Sequence, residues 1–335
     1  MKNNIAEKAK EYVIVILLLI VVIVFSIASP NFLQVKNLFN IARQVSMLGI
    51  IAACTSFAMI AGGMDLSVGS TLSFSCVLTA ALLVNYNINI FLACLIAVAA
   101  STGLGLVNGL IAVGLDVAPI IITLGTMTAY KGVAYLICGG ISIYGTPEAF
   151  RMLGQGYIAG VIPIPVVVLL LIVVIVAFIL NKTTFGRAVF ALGGNDEAAR
   201  LAGINVKRIK MLLYAISGFG AGLAGVIMCS RLSSGVPNSG TGYEFDAVTA
   251  CVIGGVSTEG GEGKISGVIC GVLVTGVLDN GLTLLNVNEF YQNIANGVVL
   301  ILAIAFDVLQ RRRKLKMDKK KVNEIRMGHS VPGDI

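Results

Sequence analysis

The chain alternates long apolar runs with short polar breaks. A helical membrane crossing needs about 20 apolar residues. Ten candidate runs can be marked: residues 12–28, 43–61, 67–84, 90–113, 119–138, 162–181, 209–229, 245–257, 264–285 and 291–309. The eighth is too short to cross alone as a straight helix. It is expected to borrow residues from its loops, or to be a broken or re-entrant segment. The first run follows Lys2, Lys8 and Lys10 and ends at Ser26-Ile27-Ala28, which resembles a signal-peptide cleavage site. Its 17 apolar-run residues exceed the usual stretch of about 7–15, so a retained anchor is expected. The pattern divides the chain into an N-terminus (1–11), a transmembrane domain (12–309) and a basic tail (310–335).

The longest polar break before the tail is 182–210, KTTFGRAVFALGGNDEAARLAGINVKRIK. Within it, Gly193-Gly194-Asn195 through Gly203 reads as a short helix with both ends marked. Asn195 can cap the first turn with its amide oxygen. Asp196 and Glu197 place negative charge at the positive end of the helix dipole, and Arg200 sits nearer the other end. Ala198, Ala199, Leu201 and Ala202 favour helix, and Gly203 suits a left-handed C′ position. Two turns alone are unstable in water, so this helix must lie against something: its own membrane domain or a partner.

Composition narrows the class. The chain is 57% hydrophobic and 12% charged, against roughly 25% charged in soluble domains. This is an all-α polytopic membrane protein. All seven cysteines fall in apolar runs and read as small apolar side chains, with neither a disulfide framework nor metal-ligand spacing. The single histidine, His329, lies in the tail, which excludes histidine acid–base chemistry in the core. With the N-terminus inside and ten crossings, 19 of the 24 lysines and arginines fall on the inner side. Lys36, Arg43, Arg151 and Arg231 fall outside, and Lys131 falls within a span. Basic residues accumulate in cytoplasmic loops, so both termini and the 182–210 loop are expected in the cytoplasm. The tail from Arg311 to Arg326 reads as a basic anchor on anionic lipid. The +7 net charge is a topology signal, and no nucleic-acid partner is expected.

The 39 glycines include three GxxxG pairs suited to close helix packing: Gly105/Gly109, Gly218/Gly222 and Gly267/Gly271. Tyr12, Tyr86, Tyr157 and Tyr291 stand at run ends, as in an interfacial belt. A short internal echo links Ile60-Ala61-Gly62-Gly63 with Ile253-Gly254-Gly255-Val256: each closes an apolar run with a diglycine before an acidic turn.

Polar groups inside spans are costly and are functional candidates by default. Asn108, Asp279 and Asn280 could face a polar inner surface or bond between helices, and Lys131 could snorkel outward. Asp65 could line a solute path or cap the helix that starts near Ser67. No chain of buried carboxylates recurs as a proton relay would require. Gly220-x-Gly222-x-x-Gly225 lies inside a span with no strand before it, so it reads as packing glycine rather than a dinucleotide site. Gly263-Lys264 fails as a phosphate loop at both ends: Thr258 stands where glycine is needed, and Ile265 follows the lysine. The chain therefore carries no ATP site of its own, and no nucleophile–base pair, metal site or cofactor site is read in it.

Several stretches together resemble the ribose-type permease subunits of bacterial ABC importers. They are Ser29-Pro30-Asn31-Phe32; Asn37 to Ile41; Gly63-Met64-Asp65-Leu66-Ser67-Val68-Gly69-Ser70; Thr123 to Thr126; Gly186-Arg187-Ala188 through Asn195 to Val206; Arg231 to Ser234; Gly240 to Ala247; Ile253-Gly254-Gly255 with Gly260 to Ile265; and Asn280-Gly281-Leu282. The ordered series covers roughly 29–309. It implies a type II importer permease fold in the bacterial inner membrane. It also implies two permease copies side by side, two cytoplasmic ATPase subunits and an extracytoplasmic sugar-binding protein. In that family the loop after the sixth span carries a helix that docks into the ATPase. That role falls here on Gly193, Gly194, Asn195, Glu197, Ala198, Ala199, Arg200 and Gly203, with small Ala198, Ala199 and Ala202 entering a groove. Asp279 and Glu262 depart from the family pattern, and the tail after Gln310 is longer than usual. For the solute path the candidates are Asp65, Ser67, Asn108 and Asn280. The competing reading is a self-sufficient secondary transporter or facilitator of a small polar solute; a membrane enzyme ranks third.

Overall fold

The computed structural model describes residues 2–115 and 117–328, with side chains described for 14–115 and 117–309. His329 and the end of the tail lie outside the described residues. The element order is α1 (Lys2–Ala28), α2 (Val35–Ile60), α3 (Val68–Val84), α4 (Ile90–Leu115), α5 (Pro119–Cys138), α6 (Glu148–Gln155), α7 (Ile164–Lys182), α8 (Thr184–Gly194), α9 (Asp196–Leu201), α10 (Val206–Leu232), α11 (Tyr243–Ile253), α12 (Ile265–Leu284) and α13 (Glu289–Gly328). Each of the ten expected runs is met by a helix. Among the described residues, seven of these helices are long and apolar enough to cross a membrane. The 17 residues of α3 span about 25 Å at 1.5 Å per residue. The 11 residues of α11 span only about 16 Å, so the short eighth run is, as expected, too short to cross by itself as a straight helix. Two helices were not anticipated, α6 and α8. Helix α13 continues through the expected 309/310 boundary without a break.

The core forms around α10, which packs against α2, α3, α4 and α6. Residues 45–60 of α2 are buried without interruption, and 15 of the 17 residues of α3 are buried. A helix apolar and buried all round carries no amphipathic stripe, which is why the sequence pattern could not orient it. By contrast α4, α5, α7 and α13 leave apolar faces exposed, as lipid-facing helices do.

Small residues set the packing, because apolar lipid offers helices no hydrophobic gain for association and van der Waals contact must supply it. Both expected glycine pairs on α4 and α10 lie in one interface. A Cβ at Gly105 would run into the Tyr214 carbonyl, and one at Gly218 into the Ser101 carbonyl. Gly267 and Gly271 of α12 meet the backbone of Gly254 and Ala250 at the α11 end. Gly220 and Gly225 likewise press on Cys54 and on Leu72 and Ser75, which confirms them as packing residues.

Two short antiparallel strand pairs close one end. β1 (Ile143–Tyr144) pairs with β4 (Ser234–Gly235), and β2 (Tyr157–Ile158) pairs with β3 (Ile162–Pro163). At the same end Arg43 Nη2 donates to the Gln155 carbonyl at 3.1 Å, and Gln155 Nε2 donates to the Arg231 carbonyl at 2.8 Å. Arg43, Arg231 and the 139–163 segment therefore share one end. The 61–67 turn, α9 and the 254–264 loop gather at the other, where Gly261 N donates to the Ile60 carbonyl at 2.8 Å.

The internal echo is a structural one. At the end of α2, Gly62 N donates to the Met59 carbonyl and Gly63 N to that of Ala58. At the end of α11, Gly255 N donates to the Val252 carbonyl and Val256 N to that of Cys251. Gly62 and Gly255 share φ +82°. This is the Schellman stop, in which a left-handed residue satisfies the last carbonyls; a Cβ there would be strained.

Candidate functional site

Two constructions stand at the α9 end, one exposed and one buried. In the exposed one, Asn195 Oδ1 accepts from Ala198 N at 2.8 Å and caps α9. The far end is a third Schellman stop: Gly203 N donates to the Arg200 carbonyl and Ile204 N to the Ala199 carbonyl, with Gly203 at φ +85°. Arg200 pairs with Glu197 at 2.6 Å on the open surface, and that hydrogen bond and negative charge raise the Arg200 pKa. Lys210 Nζ reaches Asp196 Oδ2 at 2.6 Å, tying α9 to the start of α10. Every cap read from the sequence is present, and the helix between the caps is six residues long, Asp196–Leu201. Gly193 and Gly194 belong to the end of α8.

The exposure of α9 changes the reading of its small residues. Ala199 is buried and faces the protein's own body, so it cannot share a docking groove with Ala198 and Ala202. The open face consists of Ala198, Leu201 and Ala202, at i, i+3 and i+4 on one side. Leu201 is 79% exposed at its tip. Sequence reasoning counted Leu201 only as a helix former; its apolar character at a charged loop was the available signal.

The buried construction is a chain of hydrogen bonds. Asp65 Oδ1 accepts from Ser67 N at 3.0 Å and from Ser67 Oγ at 2.6 Å. Asn108 Nδ2 donates to Ser67 Oγ at 2.8 Å. Tyr130 Oη donates to Asn108 Oδ1 at 2.8 Å and also lies 2.9 Å from the Leu104 carbonyl. The network joins the 61–67 turn, α4 and α5, with Asp65, Ser67 and Asn108 each about 1% exposed. Three of the four path candidates are thus brought together, with Asp65 holding the start of α3. The fourth is elsewhere: Asn280 of α12 exchanges reciprocal amide bonds of 2.9 and 3.0 Å with Asn37 of α2. Asn280 is a helix-to-helix clamp. Asp279 accepts from Asn296 Nδ2 at 3.0 Å, apart from both.

Tyr130, Tyr214 and Asn37 were missed. Tyr130 stands beside Lys131, which drew attention by its charge, yet the phenol carries the network. Asn37 lies in a stretch that carries the resemblance, but no role was read for it. Tyr214 of α10 is 2% exposed, and its hydroxyl has no protein hydrogen-bond partner.

Close glycine packing joins the two constructions. A Cβ at Gly193 would collide with the Ile60 carbonyl and with Gly261 N. The α8–α9 joint is therefore bolted to the end of α2 immediately before the 61–67 turn. The arrangement can transmit a displacement of α9 to the helix ends around Asp65. Among the described residues, no group of three or more His, Cys, Asp or Glu side chains is placed to hold a metal ion.

A family model described as "Branched-chain amino acid transport system / permease component" matches residues 37–304. This chain belongs to that permease family. The permease is 42% identical over 287 residues to the ribose import permease protein RbsC of Bacillus subtilis, covering 85% of this chain and 88% of that one. It is 38% identical over 296 residues to RbsC of Haemophilus influenzae, covering 87% and 91%. It is 36% identical over 304 residues to the L-arabinose transport system permease protein AraH of Escherichia coli, covering 91% and 92%. No solved structure matches the permease. It is a multi-pass membrane protein, and the resemblance read from its motifs is confirmed at the family level.

Proposed function

We propose that this permease is the membrane-spanning subunit of an ATP-driven importer for a simple sugar of the ribose or arabinose type. It sits in the bacterial inner membrane with α9 and both termini in the cytoplasm. Hydrolysis takes place on separate ATPase subunits, and a binding protein delivers the sugar from outside to a pair of permease copies. The observation that carries the reading is the 42% identity, over most of both chains, to a protein named for ribose import. Helix α9 supports it: an anchored, capped helix presenting Ala198, Leu201 and Ala202 to solvent fits helix-in-groove docking. The Gly193 contact supplies a route from that helix to the membrane core.

The test is reconstitution. Permease, the ATPase subunits and the binding protein in vesicles should give ribose or arabinose uptake that requires ATP and every component. Uptake by the permease alone would instead establish a self-sufficient transporter. Cysteines placed at Ala198 and Asn238 should label from the inside and the outside respectively; the reverse result would overturn the orientation.

A further inference from the structure

Three helices meet around two carboxylates. Asn296 of α13 holds its amide nitrogen between them: Nδ2 donates to Asp279 Oδ1 of α12 at 3.0 Å and to Asp246 Oδ1 of α11 at 3.4 Å. The two acceptor oxygens can be no further apart than the sum of these distances, 6.4 Å. Helix α11 packs against both α12 and α13. Asp246, Asp279 and Asn296 are half-buried, which leaves the pair open to exchange of a proton. Beside Asp246 and Asn296 lies a cavity of about 10 Å³, room for one water.

No ion pair compensates the two carboxylates. Among the described residues, neither aspartate forms a salt bridge; Arg200–Glu197 and Lys210–Asp196 both lie at α9. Glu244, within electrostatic reach of Asp246, adds a further acidic group. The bases at this end act on other groups: Arg231 on Tyr243, and Lys131 of α5 on Glu244. The other charged side chains on the helices packed around the pair are Lys36 and Arg43 of α2, Lys182 of α7, and Glu289 and Asp307 of α13. Arg43 is turned to Gln155 and Tyr157, and Asp307 to Thr258. Two like charges this close, away from bulk water, disfavour joint ionisation, and such groups titrate as a pair. The Asn296 amide is neutral and cannot offset a double negative charge. A hard metal ion fits poorly, because it gathers six or more oxygens. The cavity's Thr249 and Thr275 hydroxyls instead donate to the Phe245 and Gly271 carbonyls of their own helices.

We propose that Asp246 and Asp279 share one proton at neutral pH, and that this proton latches α11 to α12 and α13. Its loss puts two like charges on the pair and loosens α11 at its start. The other end of α11 runs into the 254–264 loop beside α9, so the latch holds a helix that connects the two regions. The device needs neither ATP nor sugar, so its failure leaves the importer reading standing.

The experiment uses the purified full-length permease, with Tm read by circular dichroism from about pH 5 to pH 9. An unfolded chain carries its aspartates ionised across that range, whereas the folded pair binds one proton, so raising the pH favours unfolding. Asp279→Asn keeps the shape, and its amide can donate where the shared proton lay. The variant should match wild type near pH 5 and exceed it by about 3 °C or more near pH 9. Infrared difference spectra add a direct readout: a protonated-acid carbonyl band at pH 7 in wild type, absent from both Asp279→Asn and Asp246→Asn. Should Asp279→Asn fail to fold, Asp246→Asn takes its place in the Tm series, and the loss of the band in wild type on raising the pH decides the protonation. Parallel Tm curves for wild type and variant overturn the latch. An acid band absent from wild type, or unchanged in both variants, overturns the shared proton. A saturable rise in wild-type Tm with sodium over choline at fixed ionic strength, lost in Asp279→Asn, also overturns it, by placing a cation there instead.

Discussion

Helix α9 and the Asp65 turn lie at the same end of the permease and are built from the same local parts. Each has a side-chain oxygen holding the start of a helix, and each adjoins a glycine that stops one. They differ in what surrounds them. The Asp65 carboxylate is spent inward on Ser67, and through Ser67 on Asn108 and Tyr130. The α9 side chains spend little inward: Ala199 anchors the helix, while Ala198, Leu201 and Ala202 face open space. A polar group whose bonds run inside the fold holds the fold, although the other Asp65 oxygen, Oδ2, is buried without a hydrogen-bond partner. An apolar group with no contact inside it is available to a partner. On the proposed reading, α9 is the transmitting element and Asp65 a positioning residue.

The largest effect is expected where the two meet. Gly193→Val would drive its side chain into the Ile60 carbonyl and Gly261 N, neither of which is a flexible side chain. Overpacking costs about 1–3 kcal/mol or more, and the variant should lose most of its monodisperse yield in size-exclusion chromatography. Gly194→Ala, with nothing within 4 Å of the new Cβ, should be near wild type. Equal behaviour of the two would break the link between the regions.

Next comes Asp65→Leu, which orphans the Ser67 N–H and leaves buried polar groups without an acceptor. A loss of about 1–3 kcal/mol is expected, read as a lower Tm, with Asp65→Asn milder because it keeps an oxygen. If Asp65→Leu kept wild-type Tm but lost uptake, Asp65 would belong to the solute path instead.

Leu201→Glu should do the opposite. An exposed substitution changes stability by about 0.5 kcal/mol or less, yet co-purification of the ATPase should fall by about 10-fold, together with uptake. Ala199→Glu, by contrast, should lower Tm as well, because that side chain is buried. Retention of ATPase by Leu201→Glu at wild-type levels would return α9 to an ordinary surface loop. The smallest effect belongs to Asn280→Ala. Hydrogen bonds between membrane helices average about 0.6 kcal/mol, so a slight Tm decrease with normal uptake is expected; lost uptake at unchanged stability would restore Asn280 to the path.

Much of this was written in local order. Apolar run length dictated ten helices, and the short run at 245–257 announced α11 as incomplete, because a helix rises only about 1.5 Å per residue. The caps of α9, the packing glycines of α4, α10 and α12, and the diglycine echo were legible. Each depends on a few adjacent residues and on φ preferences that sequence carries directly. Orientation was not legible. Helix α3 is buried on all sides, so no stripe marks its neighbours, and Ala198 and Ala199 are the same residue type, adjacent in the chain. Only packing turned one inward and left the other in solvent. The tertiary structure likewise set Asn280 against Asn37, 243 positions away, and gathered Asp65, Ser67 and Asn108 around Tyr130. It also left the Tyr214 hydroxyl without a partner. A hydrogen bond needs two groups within about 3 Å, and for groups far apart in sequence that distance is created by the folded arrangement of the helices.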